Sequence, residues 1–204
     1  MKLGMLGAFE TGSSMGEMPR LLTPSEIEGP FYPVVDQQDK DSDLTKIDGY
    51  NGVAEGRHII IRGQITDIAG HPVKNTTIDI WQANTHGRYR HPNDPNPAPL
   101  DPNFQGWAII ASKKDGIFRF KTIMPGSYPA SETWTRPPHI HFKVSRQGYS
   151  SLTTQMYFPE ERLNETDLLM RNKRALEQSL MIAKAIGKEE NLEVYEYNIV
   201  LEEI

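Results

Sequence analysis

The chain has 204 residues, of which 37% are hydrophobic and 24% charged, with a net charge of −5 at pH 7 and no cysteine. Length and composition suit a globular domain with a core of its own. Disulfides, thiolate nucleophiles and cysteine-ligated zinc or iron–sulfur centres are excluded, no basic cluster offers a nucleic-acid footprint, and no apolar run approaches the ~18 residues of a membrane-spanning helix.

Residues 1–20 begin with "MKLGMLGAFETGSSMGEM", Gly/Ser-rich and weakly apolar. They lack the charged start and the apolar core of ~7–15 residues of a secretory signal, and are expected to form a flexible arm. Residues 21–204 are expected to form the folded domain. A cytoplasmic location is expected, with an exported protein whose signal lies outside this chain as the alternative.

From His58 the pattern turns to strands. "HIIIRGQITD" (58–67) sets Ile59, Ile61 and Ile65 on one parity, the period of a half-buried strand. "IAGHPV" is a turn, and "TTIDIWQ" (76–82) resumes with Ile78 and Ile80 in step. Asn84 to Asn103, "NTHGRYRHPNDPNPAPLDPN", is polar and proline-rich. Loops of that length in a compact domain are functional or disordered. "GWAIIAS" (106–112) reads as a strand, and Asp115-Gly116 is a turn leading into "IFRFKTI" (117–123). After the turn "MPGSYP" come the strands "HIHFKVS", "LTTQMYF" and "LEVYEYNIVL". One helix is expected near the C-terminus, where Leu176, Leu180 and Ala183 stand at i, i+4, i+7 and Gly187 is placed to stop it. The fold expected is all-β: an antiparallel β-sandwich with long functional loops and one C-terminal helix.

The stretch "TRPPHIHFKV" (135–144) is unusual. On a strand, Ile140, Phe142 and Val144 share an apolar face, and His139, His141 and Lys143 share the other. The two histidine Cα atoms are then ~6.6 Å apart, close enough for both rings to lean onto one metal ion. The plainer alternative is a solvent-facing half-strand. Two ligands do not complete a site, and without cysteine the others must be carboxylates or tyrosines. Tyr89 in "GRYRHPND" and Tyr128 in "PGSYP" stand in unusual contexts. A phenol with an ordinary pKa near ~10 stays deprotonated at neutral pH only beside a strongly Lewis-acidic ion.

In their order and spacing, "EGPFYP", "WQANTHGRYRH", "APLDPNFQGW", "DGIFRFKTIMPGSYP", "RPPHIHFKVS", "LTTQMYF" and "YEYNIVL" resemble the intradiol ring-cleavage dioxygenases, in particular the iron-bearing chains of the protocatechuate-cleaving branch. The likeness runs from about Leu22 to the C-terminus. It implies one non-haem Fe(III) held by Tyr89, Tyr128, His139 and His141. It implies cleavage of a catechol, protocatechuate first, between its two hydroxyl-bearing carbons with O₂, giving a cis,cis-muconate. Tyr128 is then the tyrosinate that leaves and takes up a substrate proton, and Arg136 stabilises negative charge developing on the ring. Trp81 and Gln155 match pocket-lining residues of the family. Pro30 and Phe31 lie in "EGPFYP", a segment that two-chain relatives take from their iron-free chain, with Phe31 where the family has tyrosine. That departure implies a self-sufficient enzyme, expected to be a homo-oligomer. Arg146, just past the histidine strand, is a candidate partner for a substrate anion.

A rival resemblance also exists. "RGQITDIAGHPVKNTTIDIWQ" with "DGIFRFKTIMPGSY" is similar to transthyretin-like and carboxypeptidase regulatory-like modules, which would bind without catalysis. A zinc hydrolase is a third possibility, against which stands the absence of an H-E-x-x-H helix.

Overall fold

The computed structural model describes residues 19–37 and 39–204. The expected arm of residues 1–20 lies outside them except for Pro19 and Arg20. Arg20 is fastened: its backbone N–H donates to the Ile68 carbonyl at 2.8 Å and its Nη1 to Thr66 Oγ1 at 3.3 Å.

The strands are β1 (His58–Asp67), β2 (Thr77–Trp81), β3 (Trp107–Ala111), β4 (Ile117–Ile123), β5 (Tyr128–Ser131), β6 (Trp134–Arg136), β7 (His139–Ser145), β8 (Leu152–Tyr157), β9 (Lys184–Glu189), β10 (Leu192–Glu196) and β11 (Ile199–Leu201). One sheet has the order β3-β2-β7-β8 and is antiparallel throughout. A second has β4 on one side of β1 and, on the other, β10 and β11, with β9 beyond β10. A small ribbon pairs β5 with β6. Ile59, Ile61, Phe118 and Phe120 of one large sheet share an apolar cluster with Ile78, Ile80, Ile140 and Phe142 of the other. The Phe142 ring stands 6.1 Å from that of Phe118 and 6.0 Å from that of Phe120. Each such fully buried side chain is worth about 1.5–3 kcal/mol, which makes this shared cluster the core that holds the sheets in place.

The expectation of a wholly antiparallel arrangement is corrected. β1 runs parallel to both β10 and β11. The β9–β10 hairpin reverses the chain, so that β9 runs opposite to β10 at the sheet edge. It turns through Glu190 and Asn191, with φ of 51° and 67°, and positive φ at both central residues marks the turn that best fits strand twist. Alternation along β1 is the same whichever way a neighbour runs.

Gly63 sits where β1 changes partners, between Arg62 facing Glu196 of β10 and Ile65 facing Ile199 of β11. The connecting backbone crosses so close that a Cβ on Gly63 would lie 1.8 Å from the Tyr197 carbonyl oxygen and 2.8 Å from Phe118 Cζ. No side chain fits there. Gly63→Ala is expected to destabilise the protein by about 1–3 kcal/mol or more, read as a lowered midpoint in urea or thermal unfolding. An unchanged midpoint would show that the crossing yields freely.

The expected C-terminal helix is shorter than its apolar spacing suggests. A 3-10 turn (Arg162–Glu165) and α1 (Leu168–Arg171), both unexpected, precede α2 (Ala175–Met181). The helix stops at Ile182, which is extended at φ −94° and ψ 123°. Ile182 bridges Tyr157, and the Ala183 N–H donates to the Tyr157 carbonyl at 2.9 Å. Pairing to the end of β8 therefore captures the chain before Gly187, which sits inside β9 rather than ending a helix. α2 buries Met181 and leaves Leu176 exposed.

Candidate functional site

Strand register assembles the site. In the antiparallel sheet, Trp107 faces Trp81, Trp81 faces His141 and His141 faces Gln155. This is a single row across β3, β2, β7 and β8. One step along, His139 faces Tyr157. In the ribbon, Tyr128 of β5 faces Arg136 of β6. Residues directly opposite one another share a face, so Trp81, His139, His141 and Gln155 all leave the sheet on the side away from the core.

That face is not open to solvent, as a half-strand reading would have it: His139 and His141 are 2% and 3% exposed. The segment 26–32 covers it. The Glu26 N–H donates to the Thr153 carbonyl at 2.8 Å, Gln155 Nε2 donates to the Ile27 carbonyl at 2.9 Å, and Lys143 Nζ donates to Glu28 Oε2 at 2.9 Å. Tyr32 donates to Asp79 Oδ2 at 2.6 Å and packs edge-on against Trp81.

The two tyrosines arrive on loops locked to each other. Asn84 Oδ1 accepts from the N–H groups of His86 and Arg88, and Asp94 Oδ2 accepts from the Tyr89 N–H at 2.7 Å. The long proline-rich loop is thus ordered by side-chain-to-backbone bonds of the Asx kind. Gly87, at φ 75°, would place a Cβ 2.3 Å from the Ser127 carbonyl oxygen. Glycine at that point lets the Tyr89 loop touch the chain leading into Tyr128. The rings of Tyr89 and Tyr128 meet edge to face, with centroids 5.6 Å apart.

Tyr89 Oη lies 3.2 Å from His139 Nε2 and 3.0 Å from His141 Nε2. The rings of Tyr128 and His139 are 5.8 Å apart. The Tyr89–His139–His141 cluster leaves one ring nitrogen unpaired among the described residues. His139 Nδ1 lies 2.6 Å from the Pro137 carbonyl, so Nδ1 carries the proton and Nε2 presents a lone pair. Among the described residues, His141 Nδ1 is buried with no partner. The Tyr89 hydroxyl can donate to His139 Nε2 and accept from His141 Nε2–H, but in either tautomer of His141 its Nδ1 is left without a partner. Burial, with the Arg136 charge adding to it, pushes both imidazoles well below their ordinary pKa. Burial likewise pushes the Tyr89 phenol well above its ordinary value and raises that of Tyr128, with Arg136 opposing both shifts. Two bare or half-used imidazoles around a phenol form a donor set that a cation would satisfy. Among the described residues, no three His, Asp or Glu side chains converge in this way, so a metal here requires the phenols.

A cavity of about 320 Å³ opens beside this cluster. Pro30, Phe31, Tyr128, Arg136 and His141 line it, with Ile27, Asp94, Pro97 and Trp134. Trp81 is buried behind it, its ring stacked on His141 at 4.7 Å and 11°. Gln155 is reached through Arg136, whose Nη2 donates to Gln155 Oε1 at 2.7 Å. Of the residues singled out in the sequence, only Arg146 lies elsewhere. It follows the far end of β7 and borders a separate hollow with Asn75, Thr77 and Ser151.

Asp167, Tyr157, Trp134 and Asp94 were not legible as site residues. Asp167 is fully buried and pairs with Arg136 at 2.9 Å. Its only local signal is that of a helix N-cap ahead of "LLM", which says nothing of an arginine 31 residues away.

The sequence model described as "Dioxygenase" matches residues 27–203. The chain is 38% identical over 179 residues to the protocatechuate 3,4-dioxygenase beta chain of Burkholderia cepacia, covering 84% of this chain and 76% of that one. It is 32% identical over 154 residues to chlorocatechol 1,2-dioxygenase of Cupriavidus pinatubonensis, covering 67% of this chain but only 54% of that protein. Among solved structures it resembles the dioxygenase domain of a dioxygenase–carbohydrate-binding protein fusion from Streptomyces sp. SirexAA-E. That likeness has a TM-score of 0.66 at 26% identity, over 90% of this chain and 99% of the domain.

Proposed function

We propose a function that proceeds from one premise: the chain belongs to the intradiol ring-cleavage dioxygenase family. The protein cleaves a catechol between its two hydroxyl-bearing carbons with O₂ to give a cis,cis-muconate. Protocatechuate, the substrate named in a relative 38% identical over 179 residues, is the first to test. Tyr89, Tyr128, His139 and His141 hold one Fe(III). Family membership also displaces the non-catalytic module and the zinc hydrolase as readings. Residues 21–204 act as one domain whose two large sheets pack face to face as a sandwich around the shared apolar cluster. The protein works as a homo-oligomer in the cytoplasm.

The observation that carries the reading is the convergence of Tyr89 Oη with Nε2 of both histidines, at 3.2 and 3.0 Å, in a buried pocket. When bound, a ferric ion would hold both phenols as phenolates, chelate the catechol dianion and make the ring reactive toward O₂. The protein's own groups do the rest. Pro137, through its carbonyl, holds the His139 ring so that Nε2 faces the metal position; such outer partners fix the tautomer of a ligating histidine. Trp81 keeps the His141 ring from tilting. Of the two tyrosines, Tyr128 borders the cavity, whereas Tyr89 does not. Tyr128 is therefore the group positioned to take the proton of an incoming catechol hydroxyl at its Oη. Arg136, at the cavity wall, faces negative charge developing on the ring. Pro30 and Phe31 border the cavity, and the Phe31 ring packs against those of Tyr89 and Tyr128.

The purified protein is expected to carry about one iron per chain and to be red-brown from tyrosinate-to-iron charge transfer. Oxygen uptake on a panel of substituted catechols, with products identified by NMR, is expected to show intradiol cleavage. A colourless protein with stoichiometric zinc would overturn the reading.

A further inference from the structure

The geometry points to Asp167 as a positioning residue that aims Arg136 at the cavity, an inference that rests on the dioxygenase reading above. Asp167 is contributed by neither large sheet. It caps α1, accepting from the Met170 N–H at 3.2 Å through Oδ2. Its Oδ1 accepts from Arg136 Nε at 2.9 Å and from Trp134 Nε1 at 3.0 Å, and Oδ2 also accepts from the Tyr157 hydroxyl at 3.2 Å. The carboxylate is fully buried and Arg136 is 4% exposed.

These bonds use up two edges of the guanidinium. Nε goes to Asp167, and Nη2 goes to Gln155 Oε1 at 2.7 Å and the Tyr157 hydroxyl at 2.9 Å. The Trp134 ring lies against the guanidinium carbon at 5.3 Å. Among the described residues, no hydrogen bond engages Nη1. Arg136 also lines the cavity, and Asp167 does not. A guanidinium is a planar fork, so fixing two edges and one face fixes the direction of the third edge. Asp167 thereby acts at a distance. It touches no substrate, yet it decides where the Arg136 charge sits, and a misplacement of about 1 Å costs on the order of 10²-fold in rate.

The alternative is that Asp167 merely caps a short helix and pairs a buried charge. The two roles separate in a double-mutant cycle. Asp167→Asn keeps an oxygen for Arg136 and Trp134 but removes the charge that holds the fork. Arg136→Gln removes the fork itself. Turnover, KM, unfolding midpoint and anaerobic binding of 4-nitrocatechol are measured for the iron-loaded wild type, both single variants and the double variant. Asp167→Asn is expected to lower kcat roughly 10–100-fold with iron content unchanged, and to lower it no further in the Arg136→Gln background. The affinity for 4-nitrocatechol should follow the same non-additive pattern. An equal loss in both backgrounds, or no loss in either, would overturn the inference whatever the change in midpoint. If Asp167→Asn does not purify folded, Tyr157→Phe enters the cycle in its place. That variant withdraws one hydroxyl from both Arg136 and Asp167, and the same two patterns decide. A wild type without iron or oxygen uptake would fail the dioxygenase reading itself, a result distinct from an active wild type with additive losses.

Discussion

His141→Ala is expected to purify nearly colourless, with a small fraction of the wild-type iron and turnover near background. The argument starts from burial. His141 is buried, with the Trp81 ring stacked 4.7 Å away, and alanine removes a ring nitrogen held 3.0 Å from Tyr89 Oη. Tyr89 Oη then keeps one imidazole neighbour instead of two. Loss of an outer partner of a metal ligand costs about 10–100-fold in metal affinity, and loss of a ligand exceeds that. The core should survive, because the apolar row Ile140, Phe142 and Val144 on the opposite face is untouched. Iron is measured by metal analysis and the fold by far-UV circular dichroism. Full iron with full activity would show that the histidine row is a structural feature of the sheet.

Tyr128→Phe separates metal holding from proton handling. A catechol brings two phenolic protons, and both must leave for two-point chelation. Tyr128 is the tyrosine at the cavity, and the Arg136 charge opposes the rise that burial imposes on its pKa. Phenylalanine keeps the ring packed against Tyr89 and Phe31 but offers no base. Iron and part of the visible band are expected to remain, carried by Tyr89. Chelation of substrate on anaerobic stopped-flow mixing is expected to slow by roughly 10²–10⁴-fold, the range contributed by one positioned base. Chelation at the wild-type rate would move the proton-accepting role to another group.

How much of this the sequence discloses depends on how local each feature is. β1, β4 and β7 are legible because alternation and turn residues lie within them, and "HIH" flanked by alternate apolar residues announces its two faces directly. β9 is not legible: "KAIGKE" has little apolar content, stays largely exposed and is a strand only because β10 pairs with it. β5 is hidden by Pro129 and its length of four residues. The parallel setting of β10 and β11 against β1 is a property of the path between them, which no strand encodes. Motif likeness suffices to pick out Tyr89, Tyr128, His139 and His141, but the buried carboxylate behind Arg136 belongs to a pairing visible only once the chain is folded. Arg146 fails for the opposite reason. It is near the histidines in sequence, while the length of β7 carries it away from the cavity.

The row that joins Trp107, Trp81, His141 and Gln155 bears on how freely this protein can evolve. Side chains on a strand have a period of two, so sliding β7 by a single residue would push His139 and His141 into the core and turn Ile140 and Phe142 toward the cavity. The alignment of β7 is therefore fixed twice, by the apolar cluster on one side and by the buried Tyr89–histidine cluster on the other. An insertion or deletion inside residues 139–144 cannot be absorbed by repacking alone, because a one-residue shift would also carry both histidines away from Tyr89 Oη. Change in this family of sheets is thus channelled away from β7 and into the loops around it, and the segment 26–32 and the loop 84–103 become the places where a new substrate can be acquired without disturbing the frame.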